Sequence, residues 1–151
     1  MHIAFVSRPY QMLSRTERRL NKSHETEKPT IALVGHCTPD AFALRSAISG
    51  FYPDAQIETL NSQSEFESRI GEFTIHLVNR ILDGSFKDDS GINLIRRHAS
   101  DHPALMLISN YPESLQEALD AGGIQGFGKR DMRGENARIA LHNALNETSH
   151  P

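Results

Sequence analysis

Short apolar segments alternate with longer amphipathic ones from Thr30 onward, and this alternation limits the possible folds more than any other feature of the chain. The apolar segments are predicted strands, and they cover residues 31–34, 56–60, 73–78, 104–108 and 124–127. The first, third and fourth are almost entirely apolar, which is typical of strands in a parallel sheet covered on both faces. Each strand is followed by apolar residues at helical spacing.

The helices are predicted from that spacing and from residues that begin or end helices. They cover about residues 40–49, 62–71, 90–98, 112–121 and 132–145. Asp40 is the predicted cap of the first helix, and Asp88, Asp89 or Ser90 that of the third. Because crossovers between parallel strands are right-handed, five alternating units favour a doubly wound α/β fold. We predict a three-layer α/β/α domain around a five-stranded parallel sheet, for which the flavodoxin-like order 2-1-3-4-5 is one of the two common doubly wound arrangements.

Pro29 marks the predicted boundary between a flexible N-terminal extension, residues 1–29, and one domain at residues 30–146. Residues 147–151 are a predicted C-terminal tail. The extension carries six Lys or Arg and three Asp or Glu, against ten and sixteen in the remainder. A solvated tail explains its basic cluster better than a nucleic-acid-binding arm does, because no aromatic residues interleave the charges. The cluster comprises Arg15, Arg18, Arg19 and Lys22.

Composition argues against several classes of protein. No apolar run approaches the ~20 residues of a membrane-spanning helix, and the N-terminus does not resemble a secretory signal. The single cysteine, Cys37, cannot form an internal disulfide and suits a reducing cytosol. Neither a dinucleotide-binding nor a phosphate-loop glycine motif is present in the sequence. We therefore expect a cytoplasmic protein that is not an enzyme and has no membrane partner.

Candidate functional residues follow the predicted strands at their carboxyl ends, where doubly wound sheets form their functional crevice. Gly35 and His36 follow the first strand, and Asn79 ends the third. Ser109 follows the fourth strand, and Lys129 follows the fifth.

Three segments resemble the receiver domains of response regulators, the CheY-like family. They are LVNRILDG at residues 77–84, LISN at 107–110 and AGGIQGFGK at 121–129. The resemblance extends over residues 29–145. It implies the flavodoxin-like strand order 2-1-3-4-5 and a signalling domain of a two-component phosphorelay. A receiver takes a phosphoryl group from a histidine kinase onto an aspartate. Carboxylates hold the required Mg²⁺, and a lysine and a hydroxyl bind the phosphoryl oxygens.

Some of the matched positions keep the residue type that the family has, and others do not. Ser109 and Lys129 match the hydroxyl and the lysine, and form a remnant of the phosphate pocket. Asn79 stands at the phosphoacceptor position, while Gly35 and His36 stand at the acidic pair. A neutral amide is a poor nucleophile and brings no charge to Mg²⁺. The resemblance therefore implies a degenerate pseudo-receiver without a Mg²⁺ site, another metal or a cofactor.

Other positions depart from the family in the same direction. Arg130 follows the lysine where the family commonly has proline, and a trans peptide is expected there. Gly126 stands where the family tends to have an aromatic switch residue. The loop after Asn79 is longer than usual. Phe86 within it is predicted to cover the pocket, to contact a partner or to pack on the third helix.

The resemblance predicts a stand-alone domain that acts through protein contact. The partner is a histidine kinase or another signalling protein, and a homodimer remains open. The expected surface is the face of the fourth helix, fifth strand and fifth helix, near residues 115–118 and 133–142. One alternative is an unorthodox phosphoacceptor at Asp83 or Asp40. The other is a small-anion or nucleotide-binding module at Ser109, Asn79, Lys129 and Arg130.

Overall fold

The computed structural model describes residues 28–102 and 104–148. Five parallel strands form one sheet in the order β2-β1-β3-β4-β5. The strands are β1 (Thr30–Val34), β2 (Gln56–Leu60), β3 (Ile75–Asn79), β4 (Leu105–Ile108) and β5 (Ile124–Phe127). The predicted fold class and strand order are confirmed. The basic cluster predicted between Arg15 and Lys22 lies outside the described residues.

Five α-helices connect or follow the strands. They are α1 (Thr38–Phe51), α2 (Gln63–Arg69), α3 (Gly91–His98), α4 (Pro112–Asp120) and α5 (Glu135–Thr148). Short 3₁₀ turns at Ile70–Glu72 and Lys129–Asp131 precede β3 and α5. No helix in the described ranges has the length and apolar character needed to cross a membrane.

Two predicted helix starts are wrong. Cys37, rather than Asp40, is the residue before α1, and Asp40 lies inside its first turn. Pro39 fits this earlier start because the first turn of a helix leaves N–H groups without a helical acceptor. The last helix begins at Glu135 instead of Met132, since a 3₁₀ turn and Gly134 come first.

The core lies on both faces of the sheet because successive strand residues point to opposite sides. On one face, strand residues such as Leu33 and Leu77 pack with α1 and α5. On the other, Val34 and Val78 pack with α2, α3 and α4. The two predicted covering layers of helices are therefore present. Because all five strands are parallel, their carboxyl ends lie along the same edge of the sheet.

Two large apolar residues of the helices are exposed. The inner stripe of α1 consists of Ala41, Leu44, Ala47 and Ile48. Phe42 lies off that stripe and is 74% exposed. On α5, Ile139 is 43% exposed, because the inner positions are taken by residues such as Leu141.

The start of α3 confirms the predicted cap. The Ser90 hydroxyl accepts a hydrogen bond from the Asn93 N–H at 3.1 Å. Asp88 Oδ1 accepts from the Ser90 N–H at 2.9 Å, and its Oδ2 accepts from Asn93 Nδ2 at 2.8 Å. These contacts fix the end of the long loop between β3 and α3, and therefore help to set its path.

Candidate functional site

The Asn79 side chain is buried, and its polar atoms are hydrogen-bonded to backbone groups. Its Nδ2 donates to the Gly35 carbonyl at 3.0 Å and to the Ile81 carbonyl at 2.7 Å. Its Oδ1 accepts from the Arg80 N–H at 3.1 Å. The amide thus joins the end of β1 to the loop after β3, and both of its donors are used. An aspartate could accept but could not donate these two bonds.

Gly35 has a local conformation that excludes an acidic side chain. Its φ is +71°, in the left-handed region that favours glycine. A Cβ added there would lie 2.6 Å from Leu82 Cδ2 and 3.1 Å from Leu82 Cα. Leu82 is buried and belongs to the core on the face of the sheet that α2, α3 and α4 cover. An apolar side chain therefore occupies space beside the position where the family has a carboxylate.

The loop after β3 crosses the end of β1 and reaches β2. The Asp83 N–H donates to the Gly35 carbonyl at 2.9 Å, and the Ser85 N–H donates to the Asn61 carbonyl at 2.9 Å. The Gln63 N–H donates in turn to the Ser85 carbonyl at 2.7 Å. The Asp83 side chain is exposed. Phe86 is partly buried and packs against the core on the face of the sheet that α2, α3 and α4 cover.

Lys129 has an ionic partner that the sequence did not indicate. Its Nζ lies 2.7 Å from Asp40 Oδ2. The hydrogen bond from Lys129 holds the pKa of Asp40 below its usual value, against a smaller opposing effect of burial. Asp40 therefore stays ionised and neutralises the ammonium group that a phosphoryl oxygen would otherwise meet.

His36 is a buried, neutral side chain. It is 3% exposed, and its Nε2 lies 2.8 Å from the Leu77 carbonyl oxygen. Nε2 must therefore carry the hydrogen, and the buried Nδ1 has no hydrogen-bond partner. Burial lowers the pKa of His36 to about 4, although the bond to Leu77 opposes this and nearby Lys129 adds to it.

These residues do not fit the Mg²⁺ of a receiver. Gly35 offers no side-chain ligand, and the oxygen of Asn79 is used by a backbone N–H. Mg²⁺ prefers octahedral oxygen ligands, including carboxylates, and His36 supplies a nitrogen instead. Across residues 28–102 and 104–148, no three His, Cys, Asp or Glu side chains are grouped so as to hold a metal ion.

A separate pocket of about 240 Å³ lies beyond the ends of β3, β4 and β5. Asn79, Ser109 and Lys129, which follow or end three different strands, are all among its lining residues. The complete lining comprises Asn79, Arg80, Ile81, Ile108, Ser109, Asn110, Tyr111, Lys129 and Arg130. Gly35 and His36 are not among them.

Arg80 and Tyr111 were not singled out from the sequence. The Arg80 guanidinium carbon lies 4.8 Å from the centre of the Tyr111 ring, within the range of a cation–π contact. The two residues are far apart in the chain, and their only sequence signal is that each follows a strand. Their contact depends on the neighbouring positions of β3 and β4 in the sheet.

Comparisons with known proteins show the fold. No protein-family model and no curated protein matches this sequence. Among solved structures, the chain is similar to the signal receiver domain of a DNA-binding response regulator (merR) from Colwellia psychrerythraea. The TM-score is 0.62 at 11% identity, over 79% of this chain and 99% of that one.

A response regulator receiver domain protein from Clostridium thermocellum gives a TM-score of 0.63 at 14% identity, over 79% of this chain and 95% of that one. HP1043, an orphan response regulator of H. pylori, gives 0.57 at 12% identity, over 78% and 96%. The chain therefore has the fold of response-regulator receiver domains, as its sequence resemblance implied.

Proposed function

We propose that this chain is a receiver-like signalling domain of the two-component type that works without phosphorylation at residue 79. The observation that carries this proposal is the hydrogen bonding of Asn79. Both Nδ2 hydrogens and the Oδ1 atom are engaged with backbone groups. A side chain held in this way is a structural tie, and an amide lacks the nucleophilic oxygen that accepts a phosphoryl group.

The neighbouring positions support the same proposal. Leu82 blocks a side chain at Gly35, and Lys129 is paired with Asp40. Gly126 is buried, and a Cβ added there would lie 1.8 Å from the Leu107 carbonyl oxygen. The close approach of β4 and β5 thus excludes the aromatic switch residue. Acceptor, metal ligands and switch are replaced together, so no phosphorylation-driven change is expected.

Activity through a protein partner is the remaining role that the fold offers. A groove of about 360 Å³ lies between α4, β5 and α5, and Leu115, Phe127, Ile139 and Ala140 are among its lining residues. Gly126 also lines it, which leaves the groove open along β5. We place the partner, a histidine kinase or another signalling protein, on this face. A second copy of the chain is the other candidate.

The phosphorylation part of the proposal is tested with Mg²⁺ and acetyl phosphate, followed by intact mass measurement. We expect no phosphoryl adduct. An adduct that disappears in Asp83→Ala or in Asp40→Ala would instead identify that residue as an unorthodox acceptor. Asp89→Ala is the control, since this exposed aspartate lies in the same loop.

Binding of a partner to the groove is tested with Ile139, a large apolar residue of the groove that is exposed. We expect Ile139→Glu to abolish binding to a candidate histidine kinase or, for a homodimer, to shift the mass in sedimentation to that of a monomer. Phe42→Glu is the matched control, because Phe42 is an exposed apolar residue on α1, away from the groove. Equal loss of binding in both variants would contradict the placement on the α4–β5–α5 face.

A further inference from the structure

We propose that the pocket beyond β3, β4 and β5 binds a small phosphate-bearing anion without covalent attachment. Arg80, Arg130 and the Ser109 hydroxyl are the groups that hold it. This inference goes beyond the proposed signalling role and does not depend on it. A domain that never accepts a phosphoryl group can still carry a reversible anion site.

The charge of the pocket is the first support. Arg80, Lys129 and Arg130 line it, and no carboxylate does so within the described residues. Neither Arg80 nor Arg130 forms an ion pair with any carboxylate in residues 28–102 and 104–148. The remainder of the chain after residue 29 is acidic, so two unpaired guanidinium groups at one pocket concentrate positive potential there.

The second support is that the Arg80 side chain and the backbone at Tyr111 and Arg130 are held by contacts around the pocket. Arg80 stacks on the Tyr111 ring at 4.8 Å. The Tyr111 N–H donates to Ser109 Oγ at 3.1 Å, and the Arg130 N–H donates to Asn110 Oδ1 at 2.9 Å. Ser109 is 3% exposed, and its oxygen serves as an acceptor, so its hydroxyl hydrogen is left to donate into the pocket.

The arginines, rather than Lys129, are assigned the main contribution. Lys129 Nζ is already bonded to Asp40 at 2.7 Å, and that carboxylate would have to be displaced by a ligand. A guanidinium group presents several N–H donors in a planar fork that matches two phosphate oxygens. We therefore assign the anion to Arg80 and Arg130 together with Ser109, whereas the sequence predicted an anion pocket at Ser109 and Lys129.

The volume restricts the ligand. Pockets for drug-sized ligands have volumes of roughly 300–1,000 Å³, and this pocket measures about 240 Å³. A phosphate group, or the phosphate of a small ester, fits such a space. A whole nucleotide would extend outside it, and one face of Tyr111 is already covered by Arg80. The ligand class is therefore a phosphate monoester smaller than a nucleotide.

The test is calorimetric titration of the full chain with inorganic phosphate at low ionic strength. We expect saturable binding that Arg80→Gln and Arg130→Gln each weaken by about tenfold or more, the effect of losing a charge-assisted hydrogen bond. Arg133→Gln is the matched control: it removes one positive charge from an exposed neighbour of the pocket that does not line it. Absence of binding, or equal weakening in the control, would overturn the site.

Two further arms define the ligand and the role of Lys129. Asp40→Asn releases the ammonium group towards the pocket, and we expect it to strengthen phosphate binding. Weaker binding in this variant would contradict the proposed arrangement. Glycerol 3-phosphate is expected to bind at least as well as inorganic phosphate, and ATP less well. Tighter binding of ATP would overturn the size limit. Far-ultraviolet circular dichroism of each variant confirms that it is folded.

Discussion

Asn79 uses its carboxamide to hold the ends of β1 and β3 together. It donates one bond to the carbonyl of Gly35, which follows β1, and one to the carbonyl of Ile81, which follows β3. Carbonyl groups at the end of a strand require donors, and a buried one left unpaired costs free energy. At the scale of a single residue, the asparagine is therefore a stabilising element as well as the loss of an acceptor.

Asn79→Asp is predicted to destabilise the domain without restoring receiver chemistry. A carboxylate would lie against two carbonyl oxygens 3.0 and 2.7 Å from the present nitrogen. Loss of both donors from a buried site should lower the free energy of unfolding by about 2 kcal/mol or more. Urea denaturation measures this change, and intact mass after incubation with acetyl phosphate should show no adduct.

Asn110→Asp is the control for this substitution. Asn110 is exposed, and its Oδ1 accepts a bond from the Arg130 N–H that a carboxylate can also accept. The free energy of unfolding of the Asn110→Asp variant should differ from that of the parent chain by less than about 0.5 kcal/mol, as is usual for a substitution at a surface site. Equal stability of Asn79→Asp and the parent chain would show that the amide is not a structural tie.

At the scale of the element, the loop of residues 80–90 determines what the crevice can do. Periodicity and crossover handedness predict the strands, the helices and the doubly wound class, because each buried strand and helix carries a repeated apolar signal. The strand order followed from the resemblance to receiver domains. The loop has no such signal. Its acidic and polar residues predicted a solvated turn, and the burial of Leu82 over Gly35 depends on contacts with β1 and β2.

The candidate site could be predicted only as far as the ends of the strands define it. Ser109, Asn79 and Lys129 line one pocket, since strand ends of a parallel sheet share an edge. Lys129 could not be paired with Asp40 from the sequence, because 89 positions separate them and the helix start was placed too late. Arg80 was missed for a related reason: only the adjacency of β3 and β4 brings it to Tyr111.

Gly84→Ala is predicted to release the loop from β2. The φ of Gly84 is +116°, and a Cβ there would lie 2.2 Å from the Asn61 carbonyl oxygen. That carbonyl accepts the bond from the Ser85 N–H, so the substitution should break it. Amide hydrogen exchange should accelerate at Ser85 and Gln63, while the amides within β1 and β3 remain protected.

Gly71→Ala serves as the control for the loop, because nothing lies within 4 Å of a Cβ added at Gly71. Exchange at Ser85 and Gln63 should then match that of the parent chain. Unchanged exchange at these two amides in Gly84→Ala would contradict the path assigned to the loop.

At the scale of the whole molecule, two buried histidines are neutral and tied to backbone carbonyl groups. His36 lies at the end of β1, and His76 lies within β3. His76 Nε2 lies 2.9 Å from the Ile70 carbonyl oxygen, and its ring meets Phe66 and Phe73 edge-on. Burial lowers the pKa of His76 to about 4, although the Ala104 and Ile70 carbonyl oxygens that face its ring nitrogens oppose this by favouring the protonated ring.

These two histidines predict a loss of stability in mild acid. Both have an ordinary pKa of 6.5, and both titrate at about 4 in the folded chain. Below pH 6.5 the unfolded chain therefore binds two protons that the folded chain excludes. The free energy of unfolding should fall as the pH drops from 6.5 to 4, and the contribution levels off below that. Each histidine accounts for about 3 kcal/mol.

Urea denaturation at pH 7, 5.5 and 4.5 measures this loss. His76→Gln should reduce the dependence on pH by about half, because glutamine keeps an N–H donor but does not titrate in this range. His142→Gln is the control, since His142 is exposed on α5 and should leave the dependence unchanged. A free energy of unfolding that stays constant between pH 7 and 4.5 would show that His36 and His76 are not both buried in the neutral form.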